Sequence, residues 1–91
     1  MVSFADRATE HLASGQRVRG FVGIEAVARR KLRQLEIAGR LDDLKVPPGN
    51  RLEALRGSRK GQFSIRINDQ WRVCFRWTQA GPADLEMVAY H

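Results

Sequence analysis

The 91-residue sequence predicts an α+β fold in which two N-terminal helices pack on a small antiparallel β-sheet, a three-stranded C-terminal meander plus a short N-terminal strand. Three observations predict it. In the first half, apolar residues recur at the spacing of a helix that buries one stripe. From Gln62 onward they alternate with polar residues, the pattern of strands buried on one face. Two turn signals, Asn68-Asp69 and Gln79-Ala80-Gly81-Pro82, cut the alternating half into three runs. The length suits one domain over residues 1–91 with a single modest core.

Val2 to Phe4 is a short candidate strand. Asp6 can cap a helix running to about Ser14, because its carboxylate can accept from a backbone N–H at the helix start. Gly15 is placed to end that helix. The long helix is expected over residues 21–38, where Ile24, Val27, Ala28, Lys31, Leu35 and Ala38 share a stripe and Arg29, Arg30, Arg33 and Glu36 fall largely outside it. Gly39 fits its C-terminal cap, and Leu41 to Lys45 leaves room for one helical turn before Pro47 and Pro48 stop it. In the strand half, Phe63, Ile65 and Ile67 alternate with Gln62, Ser64 and Arg66; Trp71, Val73, Phe75 and Trp77 alternate with Arg72, Cys74 and Arg76. Leu85, Met87 and Ala89 alternate with Glu86, Val88 and Tyr90. Helices covering the apolar set would leave Ser64, Arg66, Arg72, Arg76, Glu86 and Tyr90 on an open face.

Hydrophobic residues at 43% and charged residues at 29% are proportions of a folded, water-soluble chain, not of a disordered or membrane-embedded one. No apolar run approaches the roughly 18 residues that span a bilayer. The opening MVSFADRATE places an acidic residue where a signal peptide would be apolar, so a cytoplasmic location and no membrane partner are expected. Cys74 is the one cysteine and sits in an apolar run, which reads as a structural thiol. The net charge of +6 is concentrated. Arg51, Arg56, Arg59, Lys60, Arg66, Arg72 and Arg76 face only Glu53 and Asp69 within one segment. Most of the cations are arginine, whose planar fork binds phosphate at two points and stacks on bases, so nucleic acid is the favoured partner over an acidic protein.

No carboxylate and histidine cluster has metal-ligand spacing, no glycine-rich loop follows a strand, and no nucleophile elbow is present. Neither a metal nor a cofactor is expected. RNA carries its own nucleophile, the 2′-hydroxyl, so a protein can cleave it by aligning the attack, neutralising the phosphorane oxygens and moving protons. Tyr90 and His91 are the candidates for proton transfer, and Arg56, Arg66 and Arg72 for the phosphate clamp. Histidine suits the role because its ordinary pKa of about 6.5 lies near working pH, whereas tyrosine at about 10 needs nearby cations. Structural readings stand beside these: Tyr90-His91 as a frayed end, His11 as a surface residue, Arg76 and Glu86 as a cross-strand ion pair, Trp71 and Trp77 as core, and Arg59 and Lys60 as screening charge.

The segment PPGNRLEALRGSRKGQFSIRINDQWRVCFRW, followed by the terminal VAYH, resembles the HigB toxins, particularly their GraT-like subgroup. The likeness is tight from Pro47 to Trp77 and over the last strand, looser along VARRKLRQLEIAGRLDDL, and weak over the first twenty residues. It implies the RelE/ParE fold, a place in a bacterial type II toxin-antitoxin system, and ribosome-dependent cleavage of messenger RNA in the A site. By position it implies that Arg72 neutralises the scissile phosphate, that Tyr90 and His91 position the 2′-hydroxyl and move protons, and that Arg56 contacts the phosphate. Some HigB toxins carry a histidine where this chain has Glu53, which is then either a general base or the salt-bridge partner of an arginine. Arg51, Arg59, Lys60, Arg66 and Arg76 are candidates for RNA and ribosome contact. The implied partners are a HigA-like helix-turn-helix antitoxin, the ribosome and messenger RNA, with operator DNA reached only through the antitoxin.

Two other classes share parts of this pattern. A ParE-like inhibitor of DNA gyrase has the same fold and acts by protein binding, and the combination of Arg72, Tyr90 and His91 argues against it. A non-catalytic basic nucleic-acid-binding module needs the arginines but has no use for Tyr90 and His91.

Overall fold

The computed structural model describes residues 2–89. Helices α1 (Arg7–Ala13) and α2 (Glu25–Ile37) pack on one face of a four-stranded antiparallel sheet of β1 (Glu53–Ala54), β2 (Gln62–Arg66), β3 (Trp71–Thr78) and β4 (Gly81–Ala89), in that spatial order. The expected α+β architecture is the observed one.

Asp6 caps α1 as its sequence position suggests, its Oδ1 accepting from the Thr9 N–H at 2.8 Å. Gly15 follows the helix with φ 94°, a left-handed conformation that costs a glycine nothing. Arg29 of α2 then donates from Nε to the Leu12 carbonyl at 2.9 Å and from Nη2 to the Gln16 carbonyl at 2.8 Å. A cation thus adds to the bonding of the carbonyls at and just beyond the end of α1 and ties the two helices to each other.

The long helix is shorter than its apolar period. Residues 19–21 form a 3-10 turn that buries Phe21, and Gly23 at φ 92° breaks the ladder before Glu25. The Glu25 carboxylate accepts from the Gly23 N–H at 2.7 Å and fastens that break. At the other end Ala38 is extended and Gly39 has no left-handed φ, so the expected glycine cap is not the device used. The Asp43 carboxylate accepts instead from Gly39 N–H at 3.1 Å and Arg40 N–H at 3.0 Å, opening a 3-10 turn (Leu41–Lys45) that buries Leu44. The pattern could not show this because the decisive acceptor, Asp43, lies six residues beyond the helix end.

The N-terminal strand is realised as a single parallel bridge, Phe4 to Leu85. Ala5 N–H donates to the Leu85 carbonyl at 2.8 Å and Leu85 N–H to the Ser3 carbonyl at 2.9 Å. Two residues on, Met87 N–H reaches the buried Thr9 hydroxyl at 3.0 Å, so that edge of β4 finds partners in the N-terminal segment and α1. At the opposite edge, β1 pairs Glu53 with Ser64 and Ala54 with Phe63. Two residues are too few to leave a periodic trace, which is why the sequence reading passed over this strand. Between β3 and β4, Cys74 faces Glu86 but Arg76 faces Ala83; the extra residue on β4 is absorbed where Asp84 adopts φ 55°.

The core lies between sheet and helices. Leu12, Leu35, Leu44, Ile65, Val73, Phe75 and Leu85 are fully buried, and Phe21 meets Trp71 edge-on with ring centres 5.1 Å apart. Trp71 and Trp77 both pack against this cluster, as their alternation predicts. Among the described residues no helix is long and apolar enough to cross a membrane.

Candidate functional site

Arg72 stands in the middle of β3, its register partners being Arg66 on β2 and Val88 on β4, and its side chain projects from the face opposite the helices. Nε donates to the Ser64 hydroxyl at 2.8 Å and Nη2 to the Arg51 carbonyl at 2.9 Å. The Glu53 carboxylate lies 3.5 Å from Nη2. A guanidinium can be buried only where its planar donors meet acceptors, and these three are the ones it meets among the described residues. Arg72 is 7% exposed and Ser64 fully buried. The sheet face expected to be open is therefore closed at its centre, where the chain at Arg51 covers Arg72, while among the described residues Arg66, Arg76 and Glu86 stay partly or fully exposed.

The covering segment is fastened from behind. Asn50 is fully buried and donates from Nδ2 to Gln34 Oε1 at 3.1 Å, the Leu44 carbonyl at 3.1 Å and the Val46 carbonyl at 3.4 Å. Its Oδ1 accepts from Lys31 Nζ. Gln34 also donates to the Val46 carbonyl at 2.5 Å. The next residue, Arg51, has φ 47°, and this left-handed turn carries its carbonyl onto Arg72. Burial, and then the neighbouring Arg30, push the Lys31 ammonium below its usual pKa.

Four arginines of the basic segment are answered within the molecule. Arg72 faces Glu53, Arg59 binds Glu86 at 3.2 Å and Gln62 at 3.0 Å, Arg66 binds Asp69, and Arg76 binds Asp84 at 2.8 Å. The hydrogen bond to Glu86 holds the Arg59 guanidinium's pKa above its usual value. The cross-strand pair of Arg76 with Glu86 does not form. The bulge on β4 presents Asp84 to Arg76, which leaves Glu86 to Arg59. Among the described residues the side chains of Arg51, Arg56 and Lys60 make no hydrogen bond or ion pair, and all three are exposed. The uncommitted positive charge of the segment thus lies just before and just after β1 rather than on β2 and β3.

Of the residues singled out from sequence, the structure brings Arg72, Glu53 and Arg51 into contact and puts Arg56, Arg59 and Lys60 on the connection between β1 and β2. Arg66 is the cross-strand neighbour of Arg72; Arg76 lies four positions along β3, roughly 13 Å away at a strand's rise, and is not part of the cluster. Tyr90 and His91 lie outside the described residues. Ala89, the last described residue, pairs with Trp71, next to Arg72. Glu53 is the salt-bridge partner of an arginine, one of its two sequence readings. Among the described residues no group of three or more His, Cys, Asp or Glu could hold a metal ion. The Cys74 thiol is buried on the same face, and burial raises its pKa, with Arg59 opposing, Glu86 reinforcing and Arg72 opposing.

Sequence reasoning missed Asn50, Gln34 and the acceptor role of Ser64. One signal pointed toward the first two: Lys31 falls on the apolar stripe of α2, where a cation requires a polar partner inside.

The profile of the RelE-like toxin of type II toxin-antitoxin system HigB matches residues 4–91. The chain is similar to Toxin HigB-1 of Vibrio cholerae serotype O1, 50% identical over 54 residues that make up 59% of this chain and 57% of that protein. It is also similar to an uncharacterized protein of Haemophilus influenzae, 35% identical over 51 residues, 56% of this chain and 50% of that protein. The chain spans little more than half the length of the first relative and half that of the second. The profile runs from the Phe4 bridge through both helices, the stapled loop and all four strands, and by that match the chain belongs to the HigB family of RelE-like type II toxins.

Proposed function

We propose that this chain is a ribosome-dependent endoribonuclease that cuts messenger RNA in the A site and so stops translation. The observation that carries the reading is Arg72, an arginine held on the sheet by Ser64 and the Arg51 carbonyl, together with the exposed cations Arg51, Arg56 and Lys60 on either side of β1, whose side chains make no hydrogen bond or ion pair among the described residues.

The chemistry needs little more. The 2′-oxygen bonds to the adjacent phosphorus while the bond to the 5′-oxygen breaks, giving a 2′,3′-cyclic phosphate and a 5′-hydroxyl. One proton leaves the 2′-hydroxyl and one reaches the departing oxygen. Arg72 and Arg56 neutralise charge that grows on the phosphorane oxygens, an effect that is large when the donors are fixed before reaction. An arriving phosphate takes the place of the half-exposed Glu53 carboxylate on Arg72, which releases a base beside the reacting centre. Tyr90 and His91, attached to Ala89 at the Arg72 end of β4, are the other proton carriers. Arg51, Arg59, Lys60, Arg66 and Arg76 contact RNA or the ribosome, a docking that salt weakens. The step needs neither metal nor cofactor, because RNA supplies the nucleophile.

The proposed partners are messenger RNA, ribosomal RNA and a HigA-like helix-turn-helix antitoxin that also reaches operator DNA. The proposed setting is the cytoplasm, with residues 1–91 acting as one domain. The test is to map messenger RNA 5′ ends after adding the protein to translating ribosomes, with Arg72→Ala as control. In-frame cuts made by the parent and absent with the variant support the reading. Intact messenger RNA, or cuts of equal strength with both proteins, overturns it.

A further inference from the structure

We infer that Asn50 is a positioning residue for Arg72, acting from the far side of the loop, and that Lys31 and Gln34 of α2 complete the device. The inference deepens the proposed nuclease reading and rests on it for its effect on cleavage.

Among the described residues Arg72 meets the Arg51 carbonyl and the Glu53 carboxylate, on the chain leading into and through β1, and the Ser64 hydroxyl of β2. The direction of the guanidinium therefore depends on where residues 51–53 sit. Those residues follow an unfavourable conformation. A non-glycine residue at φ 47° is strained and persists only where its surroundings fix it. The restraint is next door, since Asn50 spends its whole amide in hydrogen bonds: three acceptors take its Nδ2, and Lys31 donates to its Oδ1. Two of those partners are side chains one turn apart on α2, a rigid element in the core, and two are carbonyls of the chain entering the loop. Asn50 ties the loop to the helix layer at a point one peptide unit from the carbonyl that orients Arg72.

Aliphatic packing would bury this position as well, but it would not set a direction. Apolar contact is indifferent to rotation, whereas four hydrogen bonds on one amide fix its plane and with it the following peptide. A displacement of about 1 Å at a reacting group can cost a hundredfold in rate. Asn50 lies on the helix side of the loop and has no route to the phosphate, so its loss should act on the rate of the chemical step and leave docking untouched.

The experiment uses the whole chain and reads Arg72 directly. Its Nε–H, buried and bonded to Ser64, gives a displaced, slowly exchanging signal in proton-nitrogen spectra, assigned by its absence in Arg72→Lys. In Asn50→Ala that signal should move toward the exposed-arginine position and exchange faster. The maximal cleavage rate should fall at least about tenfold, with the half-saturating ribosome concentration within about twofold of the parent. Thr9→Val also deletes one buried hydrogen-bonding group, on the outer edge of β4 with no bond to the chain around Asn50, and should leave the Arg72 signal in place. If Asn50→Ala does not fold, Gln34→Ala removes one acceptor from Asn50 and one donor from the loop and should shift the same signal. An unmoved Arg72 signal in the folded variant overturns the positioning role, as does an equal movement in Thr9→Val. A moved signal in a protein whose parent cuts no messenger RNA leaves the positioning intact and removes the nuclease reading instead.

Discussion

On the face turned to the helices, Ile65, Val73, Phe75 and Met87 meet Leu12, Leu32 and Leu35 through apolar surface. On the opposite face, Arg72 and Glu86 meet Arg51 and Arg59 through directed bonds of 2.9 to 3.4 Å, and Ser64 accepts from Arg72 at 2.8 Å. The first face is held by a force proportional to area and indifferent to direction; the second depends on where each donor points. Stability should thus be lost mainly through the apolar face, and activity mainly through the polar one.

The largest expected effect is on the polar side. Arg72→Ala removes the fixed cation from the proposed phosphate site, and A-site cleavage should fall at least about a hundredfold. Arg72→Lys should not restore it, because an ammonium cannot serve Ser64 and the Arg51 carbonyl at once and still present a planar fork. Cleavage of parental strength in a folded Arg72→Ala protein would dissolve the contrast between the faces.

Phe75→Ala sharpens the comparison from the other side. Phe75 is fully buried and stacks near Phe63, with ring centres 6.2 Å apart. Its truncation should cost about 3–5 kcal/mol in urea unfolding. Cleavage per folded molecule should stay within about threefold of the parent, since the mutated side points away from Arg72. A rate that falls with the stability would mean that the two faces are not separable.

Smaller again are the proton carriers. His91→Ala and Tyr90→Phe should each lower cleavage by about tenfold, the low end for general acid-base groups, with ribosome binding unchanged in co-sedimentation. Two parental rates would point to a site built of arginines alone.

The sequence exposed the apolar face almost completely and the polar face only in outline, for a physical reason. Alternation along Trp71 to Trp77 is a repeated signal, so Val73 and Phe75 were assigned to the core and Arg72 to the other side without knowledge of any partner. What lies over Arg72 depends on single contacts across the fold: the Arg51 carbonyl 21 residues away and Asn50 reaching Lys31 19 residues back. No period marks such contacts. The same holds for β1, which exists because Glu53 and Ala54 find Ser64 and Phe63, and for the bulge that redirected Arg76 from Glu86 to Asp84. The resemblance to HigB toxins singled out Glu53, Arg56 and Arg72; the fold put Glu53 against Arg72, and Arg56 on the connection that follows β1.

The smallest effect concerns Cys74, which lies on the polar face yet is buried like a core residue. Its thiol is raised above the usual 9.0, mainly by burial, so the folded state holds the proton more tightly than the unfolded chain does. The sign follows from that difference. This contribution to stability is complete below pH 9 and declines as pH rises past the unfolded thiol's value toward the folded one. Lys31 works in the opposite sense, because its ammonium is lowered from 10.5 and the folded state gives up that proton first. Comparing the parent with Cys74→Ala cancels the lysine, which both proteins share. Between pH 8 and 10.5 the parent should lose stability relative to the variant by a small, steadily growing margin in urea unfolding. Parallel curves would mean that the thiolate is accommodated next to Arg59 and Arg72, and that the polar face, under its loop, behaves as wet surface rather than as a second interior.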